Sequence, residues 1–200
     1  MHIPISKIKG IANNFSLSFD FKIREGNHNF GYIFRLLGEK GTTLDLVISE
    51  LKETKKLSLI YSAKSILQID ESDGMLGLDF DTWNQARVSI SSGTISLSLN
   101  ELSKTTNIPT GKFIPQHLYF GTNQDANYFT TDVPPMTIKN VRIFNKDEQE
   151  TAFWPLDKHA GDTTYDAHRK LAALAQHPKW EIDGHYCWEK KQTLTFEVYP

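Results

Sequence analysis

Residues 14–23 alternate without a break. Phe15, Leu17, Phe19, Phe21 and Ile23 fall on one side, and Ser16, Ser18, Asp20 and Lys22 on the other. A period of two is that of a strand with one face buried. Glu25-Gly26-Asn27 predicts a turn, and residues 30–37 then place Phe30, Tyr32, Phe34 and Leu36 on one side. Residues 43–49 repeat the pattern with Leu44, Leu46 and Ile48. Short turns between three such runs predict an antiparallel meander.

Further strands are predicted at 57–61 and 66–70, with a weaker one at 75–80. The hairpin at 87–100 is the most sharply specified. With Ser92-Gly93 as a two-residue turn, Ile90 lies opposite Ile95 and Val88 opposite Leu97, so the apolar side chains share one face and serines fill the other. A slip of one residue would undo this.

After a run at 113–120 the chain breaks at Gly121 and crosses a polar loop. It re-enters through Pro134-Pro135 into Met136, Ile138, Val141, Ile143 and Phe144. Proline lacks the backbone donor a central strand needs, so the pair predicts a strand entrance or edge. Residues 152–156 form a last apolar run. Residues 161–179 fit either a short helix, capped at Asp162 or Thr164 with Ala167, Leu171, Leu174 and Ala175 on one face, or an extended tail. Residues 180–198 alternate again. Roughly ten strands with turn signals every 8–12 residues predict an all-β protein, a two-sheet antiparallel sandwich.

Composition narrows the function classes. The chain has 200 residues, a formal net charge of −2 and 23% charged residues. That balance gives no electrostatic footprint for nucleic acid or an anionic membrane. No stretch is apolar for long enough to cross a bilayer. Residues 1–12 lack the apolar region and cleavage site of a signal peptide, which suits a cytoplasmic chain or a segment of a longer precursor. The end at Tyr199-Pro200, just after a strand-like run, reads as a cut. Cys187 is the sole cysteine, so an internal disulfide is excluded, and it reads as a buried, inert thiol.

The loop after Gly121 concentrates candidate chemistry. Asn123, Asp125, Asn127, Tyr128, Phe129 and Asp132 are the candidate ligand-binding residues. Sugar recognition pairs an aromatic platform with amide and carboxylate hydrogen bonds. Asp125 and Asp132 are the candidate metal ligands, since Ca²⁺ takes oxygen donors. A wet connecting loop has the same composition, and both readings stand. Trp83, Trp154 and Trp180 occupy apolar or strand-like surroundings and are assigned to packing.

The runs F-S-L-S-F-D-F (15–21), G-Y-I-F-R (31–35), L-D-L-V-I (44–48), W-N-Q-A-R-V-S-I (83–90), Y-F-G-T-N (119–123) and T-D-V-P-P-M-T-I-K-N-V-R-I-F (131–144) resemble laminin-G-like modules. These belong to the concanavalin A-like lectin/glucanase superfamily. The order of the runs, with Trp154-Pro155-Leu156 and a tail holding Trp180, His185 and Trp188, resembles the bacterial modules that accompany β-propeller regions in large exported proteins.

The resemblance implies a jelly-roll sandwich over 1–156, with strands 15–23 and 137–144 side by side. Residues 157–200 would form a C-terminal tail packed on it and leading to a following domain, with Trp154 and at least one of Trp180 and Trp188 docked. It implies a periplasmic, cell-surface or secreted setting and a non-catalytic carbohydrate-recognition role, with a glycan and a neighbouring domain as partners. A structural or protein-interaction module is the alternative.

Glycoside hydrolysis is the distant one. A retaining glucanase of this superfamily carries E-x-D-x-x-E on one strand. Glu71-Ser-Asp73 and Glu181-Ile-Asp183 both fail at the third acid, where Leu76 and Tyr186 stand. His28-Asn29-Phe30 only echoes a galectin-type set. No catalytic residue and no obligate cofactor is assigned.

Overall fold

A computed structural model of the chain describes residues 1–24, 30–51, 54–70, 78, 81–109, 112–122, 130–158, 160–168 and 170–181. In chain order the strands are β1 (His2–Ile3), β2 (Phe15–Ile23), β3 (Phe30–Gly38), β4 (Thr43–Leu51), β5 (Thr54–Tyr61), β6 (Lys64–Asp70) and β7 (Asn84–Ser91). They continue with β8 (Thr94–Leu99), β9 (Leu102–Asn107), β10 (Pro115–Phe120), β11 (Met136–Phe144), β12 (Glu150–Trp154), β13 (Thr163–Tyr165) and β14 (Ala172–Leu174). Among the described residues the helical elements are two short 3-10 turns, Ile5–Lys7 and Glu39–Gly41.

The strands form two antiparallel sheets. An eight-stranded sheet runs β13-β14-β1-β10-β3-β4-β5-β6, and a six-stranded sheet runs β12-β11-β2-β7-β8-β9. The chain is an all-β jelly-roll sandwich. β2 lies between β11 and β7, with Ile138 opposite Phe21 and Leu17 opposite Val88. The first long strand and the last sandwich strand are thus neighbours, as the resemblance implies. The 87–100 hairpin has the predicted register, Ile90 opposite Ile95 and Val88 opposite Leu97. Its turn places Ser92 at φ 49° and Gly93 at φ 84°, the doubly left-handed geometry whose twist matches paired strands.

Two expectations need correction. Runs 15–23, 30–37 and 43–49 do not form one meander, because β2 belongs to the six-stranded sheet and β3 and β4 to the other. The strongly apolar face of β2 packs across the sandwich instead. Phe19 meets Phe34 edge-on at 5.8 Å and Phe120 at 5.0 Å. The uninterrupted meander is β3-β4-β5-β6. Nor do Phe30, Tyr32, Phe34 and Leu36 share a face. The register shifts between Tyr32 and Phe34, so Phe34 and Leu36 enter the core while Phe30 is exposed and Tyr32 half-buried. A bulge inserts one residue and inverts the alternation beyond it.

The core joins Phe15, Phe19, Phe21, Phe34, Phe113, Phe120 and Trp154 with aliphatic side chains from both sheets. Each such residue, fully buried, contributes about 1.5–3 kcal/mol. Trp154 is fully buried and its indole N–H donates to the Leu171 carbonyl at 3.3 Å.

Of the two readings of 161–179, the extended one is found. β13 and β14 pair as a hairpin, and Leu174 pairs with His2, which adds them to the eight-stranded sheet. Asp166 favours the turn over a helix. Its buried carboxylate accepts from the backbone N–H groups of Lys170 and Leu171 at 2.6 Å each and of His168 at 3.3 Å. Asp166→Ala leaves those donors without their acceptor, and stability should fall by about 1–3 kcal/mol, read as a lower urea midpoint at unchanged slope.

Candidate functional site

β11 is where local backbone geometry shapes a surface. Its apolar residues Ile138 and Val141 are three apart, out of step with a period of two, and the register on β2 shifts between Lys139 and Arg142. Asn140 takes up the extra residue at φ 54°, a conformation asparagine tolerates better than most. The bulge turns its side chain toward β2, where the amide donates to the Asp20 carboxylate at 2.7 Å. Bulges commonly re-aim side chains beside functional sites.

Beside this bulge lies a cleft of about 800 Å³. Its walls are Val133–Asn140, Phe120-Gly121, Trp83 with Arg24, Pro155–Asp157, and Ala175–Glu181. The volume falls within the range usual for ligand pockets, about 300–1,000 Å³. A second, more open hollow of about 860 Å³ lies against Ala160–Asp162 and shares Ala175–Pro178 and Trp180 with the first.

Trp83 and Trp180, both half-buried, contribute to the lining. This corrects their assignment to packing, which holds for Trp154. Trp83 stands just before β7, and the ammonium groups of Lys139 and Lys22 lie 3.9 and 5.2 Å from its ring centre. Trp180 donates its indole N–H to the Gly161 carbonyl at 2.9 Å. The Glu181 carboxylate pairs with Arg24, and with Lys22 at 3.6 Å. Arg24 also donates to the Thr137 hydroxyl at 3.2 Å. The chain around Trp180 is thereby fastened to β2 and β11 by charge and hydrogen bonds.

The predicted loop meets this cleft at both ends. Gly121 on one side and Val133 on the other line it. Asn123, Asp125, Asn127, Tyr128 and Phe129 lie outside the described residues. Asp132 is exposed, and its carbonyl accepts from the Tyr32 N–H at 2.8 Å. Among the described residues no group of three or more His, Cys, Asp or Glu is placed to hold a metal ion. Of the acid runs weighed for hydrolysis, Glu71, Asp73 and Asp183 lie outside the described residues, and Glu181 is held by its two cations. His28, Asn29, His185, Cys187 and Trp188 also lie outside them.

A second polar surface was not foreseen. One ladder row crosses the eight-stranded sheet from strand to strand: Leu174, His2, Tyr119, Arg35, Asp45, Ile60. His2 stacks on Tyr119 at 4.7 Å, and its Nε2 lies 3.0 Å from Nδ1 of His117. Arg35 grips Asp45 through two 2.7 Å bonds and lies 4.7 Å from the centre of the Tyr32 ring. Burial pushes the Asp45 carboxyl above its ordinary value, against the pull of Arg35, whose guanidinium is held up by the Asp45 hydrogen bonds. These residues were hidden because the row exists only once six strands are in register.

No family model and no curated protein matches the chain. Solved structures do. A candidate carbohydrate-binding protein from Bacteroides ovatus is similar over 92% of this chain and 58% of its own, with a TM-score of 0.60 and 11% identity. Domains LG4-5 of the mouse laminin alpha1 chain match over 84% of this chain and 44% of theirs, with a TM-score of 0.53 and 12% identity. The enzymatically active domain of tailspike protein 2 from bacteriophage CBA120 matches over 70% of this chain and 23% of its own, at a TM-score of 0.46 and 12% identity. This chain therefore spans less than two thirds of each of these structures. The fold is a jelly-roll sandwich similar to that of the Bacteroides ovatus protein and of the laminin G domains, and these two likenesses speak to the fold alone.

Proposed function

We propose that this is a non-catalytic carbohydrate-recognition module of a larger exported protein, with its glycan seated in the cleft beside β11. The observation that carries the reading is the cleft's lining, in which Trp83 and Trp180 accompany the Asn140 and Gln176 amides, the Asp157 and Glu181 carboxylates and the basic Arg24 and Lys139. Flat indole rings suit the apolar face of a pyranose, while amides and charged groups suit its hydroxyls. The description of the Bacteroides ovatus protein points the same way. On their chemistry, Asn123, Asp125, Asn127, Tyr128, Phe129 and Asp132 are further ligand contacts in this reading, from the segment between Gly121 and Val133, both of which line the cleft. Asp125 and Asp132 are the residues through which Ca²⁺ would act.

A glycan array probed with the purified chain, with and without Ca²⁺, should return at least one retained oligosaccharide. Trp83→Ala and Trp180→Ala should each weaken it about tenfold or more, as expected for a tryptophan anchor. Tyr128→Ala with Asp125→Ala should abolish retention at a nearly unchanged thermal midpoint. An empty array, or tryptophan variants that bind as the parent does, would sink the reading in favour of a structural or protein-interaction module. Release of shortened sugars would sink its non-catalytic part.

A further inference from the structure

We propose that Arg24 and Lys22, with Lys139 beside them, form a carboxylate-binding subsite of the cleft, occupied at rest by the protein's own Glu181. The glycan taken there would carry a uronic acid. The inference rests on the carbohydrate reading above and deepens it by naming the sugar class.

The sheet itself brings the cations together. Thr137 lies opposite Lys22, and Lys139 opposite Asp20. Lys22 and Lys139 are thus diagonal neighbours on the outer face of adjacent strands, within reach of one another. Two ammonium groups repel at that spacing, and the Trp83 ring offsets the repulsion by receiving both, at 5.2 and 3.9 Å. Arg24 follows β2 directly and is oriented by the Thr137 hydroxyl at 3.2 Å. Among the described residues the carboxylates near them are Asp20, engaged by the Asn140 amide at 2.7 Å, Glu181, and Asp157 of the cleft lining.

The manner in which Glu181 sits there points to a carboxylate ligand. One oxygen goes to Arg24 and the other to Lys22. Two cations, each set against one oxygen, match a planar two-oxygen group. Arg24 and Glu181 are both partly open to solvent. Exposed pairs of this kind hold weakly, about 0–1 kcal/mol, so a ligand carboxylate arriving with hydroxyls and a ring face can displace it. With Glu181 displaced, Arg24 and Lys22 lose one facing negative charge, and a uronate restores it. Glu181 is thus an internal competitor, and its ion pairs set a threshold for acidic sugars.

Calorimetric titration of the full chain with trigalacturonate and a hyaluronan hexasaccharide, against neutral galactotriose and chitotriose, tests this. At least one acidic probe should bind about tenfold or more tightly than its neutral counterpart, with a preference that shrinks as salt rises. Arg24→Gln and Lys22→Gln should each erase the preference at an unchanged thermal midpoint. Glu181→Gln, by removing the competitor, should tighten the acidic probe several-fold and so raise the acidic-to-neutral preference. Equal affinity for acidic and neutral probes, or a Glu181→Gln variant that binds the acidic probe no better, overturns the subsite. So does tight binding of a heparin hexasaccharide while both uronate probes fail. If neutral glycans bind through Trp83 and Trp180 while acids gain nothing, this inference falls and the carbohydrate reading stands. A chain that retains no glycan takes both down.

Discussion

Asp45→Ala should lower stability by about 3–5 kcal/mol, more than other polar substitutions in the chain. Asp45 is buried and takes two 2.7 Å bonds from Arg35, in the middle of the ladder row across the eight-stranded sheet. Alanine removes the carboxylate but leaves the guanidinium beside Tyr32 and Tyr119. Arginine cannot shed its proton to escape.

The reverse change is gentler. Arg35→Ala strands a carboxyl that burial already pushes above its ordinary value, and a carboxyl can neutralise itself by taking a proton. The sign of its pH dependence follows. A carboxyl titrating higher in the folded state than in the unfolded one contributes stability that is full below the unfolded value. That contribution is lost as pH rises through the folded value. Arg35→Ala should therefore recover stability on acidification toward pH ~4, near the ordinary carboxylate value, whereas Asp45→Ala should not. Urea titrations of both variants at two pH values measure this. A double change, Arg35→Met with Asp45→Leu, should regain most of the loss, since a well-packed apolar pair often replaces a buried ion pair without penalty. Equal losses in the two single variants at every pH would show that the pair acts through packing rather than charge.

What the sequence made legible was the part of the fold governed by a strict period of two. β2 and the β7–β8 hairpin were readable to the residue, because each apolar side chain has one face on which to be buried. β9 was missed for the opposite reason. In Leu-Ser-Lys-Thr-Thr-Asn the one apolar residue is Leu102, and the strand is held by pairing with β8 rather than by burial. A bulge caused another error. An inserted residue at Tyr32–Phe34 moved Phe30 and Tyr32 off the core face, and a count of alternation cannot register it.

In β11 the same device left a mark, the three-residue step from Ile138 to Val141, and it marks the floor of the cleft. The site was half legible. Gly121 and the prolines located its wall, since backbone punctuation survives in sequence. Trp83 and Trp180 were assigned to the core because tryptophan is counted as apolar. Only the tertiary arrangement leaves part of each ring facing a cavity, and nothing local separates them from Trp154.

Gly31→Ala should cost both stability and ligand binding, which ties the wall of the cleft to the sandwich. A Cβ at position 31 would lie 2.4 Å from Cδ and 2.5 Å from N of Pro134, with the Val133 carbonyl carbon at 3.1 Å. The obstacle is backbone and a proline ring, neither of which can rotate away, so the segment itself must shift. That segment is pinned on both sides, by Tyr32 N–H to the Asp132 carbonyl and Arg24 N–H to the Pro135 carbonyl, each 2.8 Å. Overpacking of this kind costs about 1–3 kcal/mol. Because Val133, Pro134 and Pro135 all line the cleft, the displacement should also weaken any glycan seated there, even at temperatures where the variant is folded. Gly38→Ala is the matching control. Its Cβ would meet the Thr42 hydroxyl at 2.4 Å and the Phe113 ring at 2.8 Å, both side chains and neither part of the cleft wall. It should lower the thermal midpoint while leaving glycan affinity intact. If the two variants lose stability and binding in the same proportion, the 133–135 segment is not the mechanical link between core and cleft. If Gly31→Ala melts like the parent, the close approach of Pro134 to β3 is not maintained in solution.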